Sequence, residues 1–414
     1  MKSITIENTN ISLVIEPLIQ PFGFKGMQIS ELWQPVAKLQ SASHTVAIPS
    51  TQSVLWADAD VFASYTKDDA NLLMYHTTER ALKYLKGKTF ERPDELINSI
   101  IPELWEYANA ISGMKVKRTF VLNSLVGVDL ALWSLYALEN GINSFDGIIP
   151  ENAAPAMKYK HDKLAHIPLV SYNVDSKEIT RLLDNGTALM KIKIGKEILW
   201  DKERLLAIHT LAKDRETPLT ADGKIRYYLD ANGRYKPTEL EAIVDFADKE
   251  HILDRIALIE EPFPETDETD VSEYPVAICA DESADCAEAL RARIELGYRS
   301  AALKPIAKTL SESFEMVRAM LDAGGSCLCA DLTVNPLLSE WNKQFAARIA
   351  PLPGMKAGCV EVNGDENYLR WEEQIKKLPK GMDYTAPRRG AFTCGQRFYS
   401  KSGLLFAQNG WHFE

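Results

Sequence analysis

No stretch of the 414 residues is apolar without interruption for the ~18 or more positions that span a bilayer, so no membrane partner is expected. Positive charge is scarce. There are 47 Lys and Arg against 58 Asp and Glu, a formal net charge of −11, and the broad basic face that a nucleic-acid partner needs is missing. An anionic ligand must therefore be held by local positive charge. Cysteine is sparse as well: residues 279, 286, 327, 329, 359 and 394 fall mostly inside apolar runs of the C-terminal half, unlike a small disulfide-rich frame. Cys327 and Cys329 are too closely spaced to read as a zinc pair. The opening MKSITIENTNISLVIEP alternates apolar and polar residues and carries acids, so it lacks the apolar centre of a signal peptide, and a cytoplasmic location is the default expectation.

Apolar residues make up 46% of the chain and charged ones 25%, the balance of a globular protein. At this length one large domain plus a smaller one is the natural division. Residues 1–150 read as α+β without a repeat. A hairpin is expected over 1–17, with Ile4, Ile6, Leu13 and Ile15 alternating about the polar turn Asn8-Thr9-Asn10. Residues 18–57 show no sustained period and predict a covering loop long enough to act as a lid, with Phe22, Phe24 and Lys25 as candidate substrate contacts. Helical patterns follow at about 68–86, 92–111 and 120–141.

From about 166 the texture changes to short apolar runs alternating with amphipathic segments. The runs are HIPLVSYN, ALMKIKIG, RYYLDAN, IALIEEP, VAICADES, SAALKP, SCLCADL and AGCVEVNG. Eight strand-helix units over 151–381 predict a (β/α)8 barrel of the TIM type, with 382–414 expected to fold back on the first domain. Charged residues end these runs: Lys193, Asp230, Glu260, Asp281 and Lys304, followed by Asp331 and Glu361. In a parallel barrel the C-terminal strand ends are where catalytic residues stand. An acid after a strand is also commonly a helix N-cap, and Asp281 taken alone supports either reading.

Strands two and six of such a barrel lie opposite each other, so Lys193 and Lys304 face across the mouth. Asp230, Glu260 and Asp281 then form one arc between them. Three gathered carboxylates repel one another unless a cation compensates, and a hard divalent ion with oxygen ligands, most simply Mg²⁺, resolves the conflict. Proton removal beside a carboxylate creates an enediolate whose new charge must be stabilised as it forms. A lysine of lowered pKa is a suitable base, and Lys191, two positions before Lys193 on the same strand face, is the neighbour whose charge lowers it.

Lys191-Ile192-Lys193, Asp230-Ala231-Asn232, Glu260-Glu261-Pro262, Ala280-Asp281-Glu282-Ser283 and Lys304 together resemble the enolase superfamily, in its muconate lactonizing enzyme subgroup within the mandelate racemase/muconate lactonizing enzyme family. Residues 125–133, LVGVDLALW, are similar to the helix that closes that family's capping domain. The resemblance implies a modified barrel with an N-terminal capping domain completed by the C-terminal segment. It implies Asp230, Glu260 and Asp281 as ligands of Mg²⁺, with Mn²⁺ as the substitute, and Lys193 and Lys304 as acid/base catalysts on opposite substrate faces. Lys191 assists them. Asn232, Glu261 and Glu282 would support the ligands from behind, while Glu361 matches an acid that touches substrate or aids a leaving group. The resemblance assigns no role to Asp331, which as a strand-end acid is a further candidate substrate contact.

Relatives with a histidine base carry it on the seventh strand, and no histidine falls between 252 and 411 here. The Asp-x-Asp that dipeptide epimerases carry near strand eight is replaced by Glu361-Val362-Asn363-Gly364-Asp365. The expected activity is α-proton abstraction from a small-molecule carboxylate by a racemase, epimerase or cycloisomerase, in a homo-oligomer. Syn-elimination, as in dehydratases or o-succinylbenzoate synthases, is the alternative, and a non-catalytic metal-binding barrel is the remote one.

Overall fold

The computed structural model describes residues 2–24, 27–379, 382, 386–402 and 405–406. Near the N-terminus β1 (Ile4–Thr5) pairs antiparallel with β5 (Thr89–Phe90), and β2 (Asn8–Phe24), β3 (Met27–Gln40) and β4 (Thr45–Pro49) form a three-stranded antiparallel sheet. Two helices, Lys67–Leu85 and Arg118–Glu139, pack against it, and a further helix, Pro93–Ser112, packs on both of them. Pro93–Ser112 carries Pro93 in its first turn, where no amide partner is lost, and ends at Gly113 in the left-handed region at φ 60°. Arg118–Glu139 is long and apolar enough to cross a membrane by length and composition, yet 94% of its most apolar window is buried inside the protein.

Two expectations for this region fail. Asn8 and Asn10 are not a turn; they pair with Gln40 and Lys38 inside a long ladder whose last described pair is Phe24 with Met27. Residues 18–57 are for the most part strand, not loop. Their alternation is hidden because Leu32–Ala37 is buried on both faces of the sheet, which erases the period of two that a half-exposed strand displays.

The barrel strands are β6 (Lys163–Ile167), β7 (Leu169–Val170), β8 (Leu189–Lys193), β9 (Arg226–Asp230), β10 (Ile256–Glu260), β11 (Ile278–Ala280), β12 (Ser300–Leu303), β13 (Ser326–Cys329) and β14 (Gly358–Glu361). Neighbours from β7 to β14 pair in parallel, and β14 pairs in parallel with β6. Pro168 divides the first strand, so that β6 holds one neighbour and β7 the other; together they close an eight-stranded barrel. The Lys191 amide donates to the Pro168 carbonyl at 3.0 Å across this seam. Apolar side chains such as Ile167, Leu189, Tyr228, Leu258, Ala302 and Leu328 fill a packed cluster of their own, as a closed barrel requires. Beyond the barrel, β15 (Ala391–Thr393) lies antiparallel on β6. Ser402 reaches Phe145, whose amide donates to its hydroxyl. The cap is also met by residues before 382: Arg370 pairs with Glu16, and Gln34 donates to Gln374.

Candidate active site

From β8 to β14 a charged side chain stands at or just past each C-terminal strand end, two of them on β8, because parallel strands in register end on one rim. Lys193 stands beside Asp230, and Asp230 beside Glu260, in adjacent ladder positions. A cavity of about 660 Å³, including open solvent at its entrance, lies over this rim. Lys191, Lys193, Asp230, Asn232, Asp281, Glu282, Lys304, Asp331 and Glu361 line it, so nine of the residues singled out from the sequence share one space. Glu260 and Glu261 are buried behind them.

Lys191 is the hub. Its Nζ lies 3.0 Å from Asp230 Oδ2, 2.8 Å from Glu260 Oε2 and 3.5 Å from Glu361 Oε2, and 4.8 Å from the centre of the Tyr228 ring. Burial disfavours its charge, but Asp230 and Glu260 outweigh that and hold the ammonium well above its ordinary range. Lys193 Nζ donates to the same Asp230 Oδ2 at 2.6 Å and to Asn232 Oδ1 at 2.7 Å. On the far side Lys304 donates to Asp281 Oδ2 and sits 4.7 Å over the Trp56 ring of the cap. Its proton, too, is held more tightly than usual, since the Asp281 charge exceeds the opposing effect of burial.

The three acids behave differently. Burial works against the charge of Asp230, yet Lys191 and Lys193 hold its carboxyl well below the usual range. Asp281 is likewise held low against burial, by Lys304 and Lys308. Glu260 goes the other way: burial and repulsion from Asp230 push it well above its ordinary value. Its Oε2 accepts from the Tyr228 hydroxyl, while Oε1 is buried with no hydrogen-bond partner among the described residues. Such an orphaned oxygen, in a row of hard oxygen donors, fits a divalent cation. As the side chains stand, ammonium groups occupy the acids, and no group of three His, Cys, Asp or Glu converges as a ready cage among the described residues.

The supporting residues are fixed by backbone contacts. Glu261 accepts from the Asp281 amide at 2.6 Å and from Ser283 N and Oγ at 3.2 and 3.0 Å, and burial followed by the nearby Glu282 charge pushes its carboxyl up to about 8. Asn232 donates to Glu282 Oε1 at 3.3 Å. Asn232 and Glu261 hold positive φ, 47° and 39°, conformations that cost a non-glycine residue energy and persist where surrounding contacts demand them. Gly195, at φ +88°, lets the chain leave β8 beneath Ala231, whose carbonyl oxygen would lie 2.7 Å from any Cβ there.

Asp331 accepts from the amides of Leu332, Val334 and Asn363 at 2.7, 3.3 and 2.8 Å, and its own amide donates to Glu361 Oε2 at 3.2 Å. Burial, then the Glu361 charge, raises its carboxyl to about 7. Of the hairpin candidates, Phe22 and Phe24 pair through their backbones with Ile29 and Met27, their side chains lie outside the described residues, and so does Lys25 altogether. Leu18, Ile29 and Leu32 of the same hairpin reach the cavity. Sequence reasoning missed these, along with Trp56, Asn363 and Lys308. Lys308 Nζ donates to Asp281 Oδ1 and carbonyl and to the Ala284 carbonyl at 3.1, 2.7 and 3.0 Å. One signal for it existed: it stands a helical turn after Lys304.

No family model matches the chain. A curated relative, the hydrophobic dipeptide epimerase of Citrifermentans bemidjiense, is 23% identical over 359 residues, covering 84% of this chain and 87% of its own length. Among solved structures, a mandelate racemase/muconate lactonizing protein from Herpetosiphon aurantiacus superposes with a TM-score of 0.68 at 15% identity, over 96% of this chain and 97% of that one. A dipeptide epimerase from Enterococcus faecalis V583, complexed with Mg and L-Leu-L-Tyr, gives 0.63 at 15% identity over 88% and 92%. An L-talarate dehydratase from Polaromonas sp. JS666, complexed with Mg and L-glucarate, gives 0.64 at 15% identity over 95% and 93%.

Proposed function

We propose that this chain, which has the fold of the mandelate racemase/muconate lactonizing enzyme group of the enolase superfamily, is a Mg²⁺-dependent enzyme that removes the α-proton of a carboxylate substrate. One observation carries the reading: Lys193 and Lys304 reach a single cavity from opposite ends of a row of acids, tied to Asp230 and Asp281 respectively. The residues that would hold the ion are Asp230, Glu260 and Asp281. Bound there, the cation supplies positive charge to the developing enediolate and lowers the proton affinity of the neighbouring lysines.

In this reading Lys193 Nζ takes the α-proton, and Asn232 Oδ1, its second acceptor, keeps the amine aimed into the cavity. Lys191, buried among three carboxylates, remains a fixed cation. Delivery of a proton by Lys304 Nζ to the other face inverts the α-carbon, giving a racemase or epimerase. The test is solvent exchange. Lys193→Ala should reduce incorporation of deuterium at the substrate α-carbon by about 10²–10⁴-fold, and exchange at the wild-type rate would sink the assignment.

Elimination of a β-group is the second reading. Lys304 is confined between Asp281 and the Trp56 ring and is held charged, which suits a cation lying over the intermediate as well as a proton donor. Product analysis separates the two: retained carbon skeleton with inverted configuration, or an unsaturated product.

A further inference from the structure

We propose that the acid handled by this site bears a bulky apolar group at its α-carbon, and that the cap selects for it. This rests on the proton-abstraction reading and adds the substrate class. The cap contributes Leu18, Ile29, Leu32, Ser53, Leu55 and Trp56 to the cavity wall. The five apolar members are each at most 9% exposed. Four of them, Leu18, Ile29, Leu32 and Leu55, pack with Tyr368 and Trp371 in a cluster separate from the main core. The roof is therefore a firm apolar surface backed by aromatic rings.

The hydrogen-bonding side-chain groups of that roof are the Ser53 hydroxyl and Trp56 Nε1, the latter buried with no partner among the described residues. Ile29 and Leu32 lie in the ladder opposite Phe22 and Glu16, so their backbone belongs to the sheet. The Ser53 amide is taken by Asn123 Oδ1 at 2.8 Å. From the barrel, Leu169 and Leu332 extend the apolar wall beside the charged rim. A ligand whose carboxylate lies at the acids and lysines thus turns its α-substituent toward hydrocarbon.

A polyhydroxylated chain placed there would strand its hydroxyl groups, costing about tenfold or more in affinity for each. An alkyl or aryl group gains about fourfold per buried methylene. The cavity opens past Leu169, Lys193, Asn232, Glu282 and Asn363 into an outer vestibule, and the polar remainder of the ligand leaves by that side.

The experiment uses the Mg²⁺-loaded full chain and two readouts on one panel: N-acetyl derivatives of alanine, valine, leucine and phenylalanine, with an aldonic acid as the hydroxylated probe. Binding is measured by titration calorimetry, and α-proton exchange by NMR in deuterium oxide. Affinity should rise at least tenfold from the alanine to the leucine derivative, and the aldonic acid should bind more weakly than any of them. Leu32→Ser should lower affinity for the leucine derivative at least fivefold more than for the alanine derivative, a ratio that a general loss of folded protein cannot produce. A flat series, binding of no member, or preference for the aldonic acid overturns the substrate class, and exchange on the aldonic acid would leave proton abstraction standing. The apolar order in binding with no exchange on any member overturns proton abstraction instead.

Discussion

The floor and the roof of the cavity are built from opposite chemistry. On the floor, five charged side chains from successive strand ends interlock so closely that Asp230 Oδ2 alone meets two ammonium groups. On the roof, Leu32 and Leu55 are 3% and 2% exposed and present hydrocarbon. A charge on the floor is fixed by its partners, and each change there is felt by several others. A leucine on the roof carries no charge, so replacing it leaves the ion pairs of the floor in place. In the proposed reading the reaction and the choice of substrate would be carried by separate parts of the chain, which different substitutions should perturb separately.

Removing the metal is the sharpest way to break that division, because it strikes the floor and spares the roof. Chelation should abolish turnover and α-proton exchange, and added Mg²⁺ should restore both; full activity in the chelator would remove the carboxylates Asp230, Glu260 and Asp281 from their role. Lys191→Met comes next. It takes a buried cation from between Asp230, Glu260 and Glu361, and breaking a buried pair from one side costs about 3–5 kcal/mol. Urea unfolding without metal should register that loss, and Mg²⁺ should recover part of it by standing in for the ammonium. Equal stability of variant and wild type without metal would mean that the acids are not held by Lys191.

The same division governs what could be read from sequence. The floor was legible because a parallel barrel puts one residue per strand end on one rim, so Lys193, Asp230, Glu260, Asp281 and Lys304 announce themselves by spacing and type. Asp331 was visible as a strand-end acid, but not its three backbone donors, which come from the turn after it and from Asn363. The roof was hidden. Leu32–Ala37 lost its alternation through burial on both sides, and the polar letters of Asn8-Thr9-Asn10 imitated a turn where pairing with Lys38–Gln40 holds the chain extended. Trp56 meets Lys304 across 248 positions of sequence, a contact with no local signature.

A substitution on the roof should leave the chemical step nearly intact. Leu55→Ala removes wall but no charge, so it should raise KM for an apolar acid about tenfold, the order expected for a few lost methylenes, with kcat for exchange changed by less than about threefold. A kcat loss as large as that of Lys193→Ala would show that the cap takes part in the chemistry itself, through Trp56 and Lys304.

A pH-dependent effect concerns how roof and floor are joined. Asp129, on the cap helix Arg118–Glu139, accepts from the Leu310 and Ser311 amides at 2.8 and 3.1 Å and from the Ser311 hydroxyl, at the start of a barrel helix. Burial pushes its carboxyl up to about 7, against the hydrogen bonds from Ser311 and Leu310 that favour the charged form. In the unfolded chain an aspartate titrates near 3.9. Between these values the folded state holds the proton and the unfolded state does not, so the group's contribution to stability is full below about pH 4, falls by about 1.4 kcal/mol per pH unit as pH rises, and levels off above 7. Asp129→Asn cannot titrate. The difference in unfolding free energy between wild type and Asp129→Asn, followed from pH 4 to pH 8, should therefore shift in favour of the asparagine variant and then stay constant. A difference that does not change with pH would mean that Asp129 keeps its charge in the folded protein, and that cap and barrel are joined by an ionised carboxylate at the helix start.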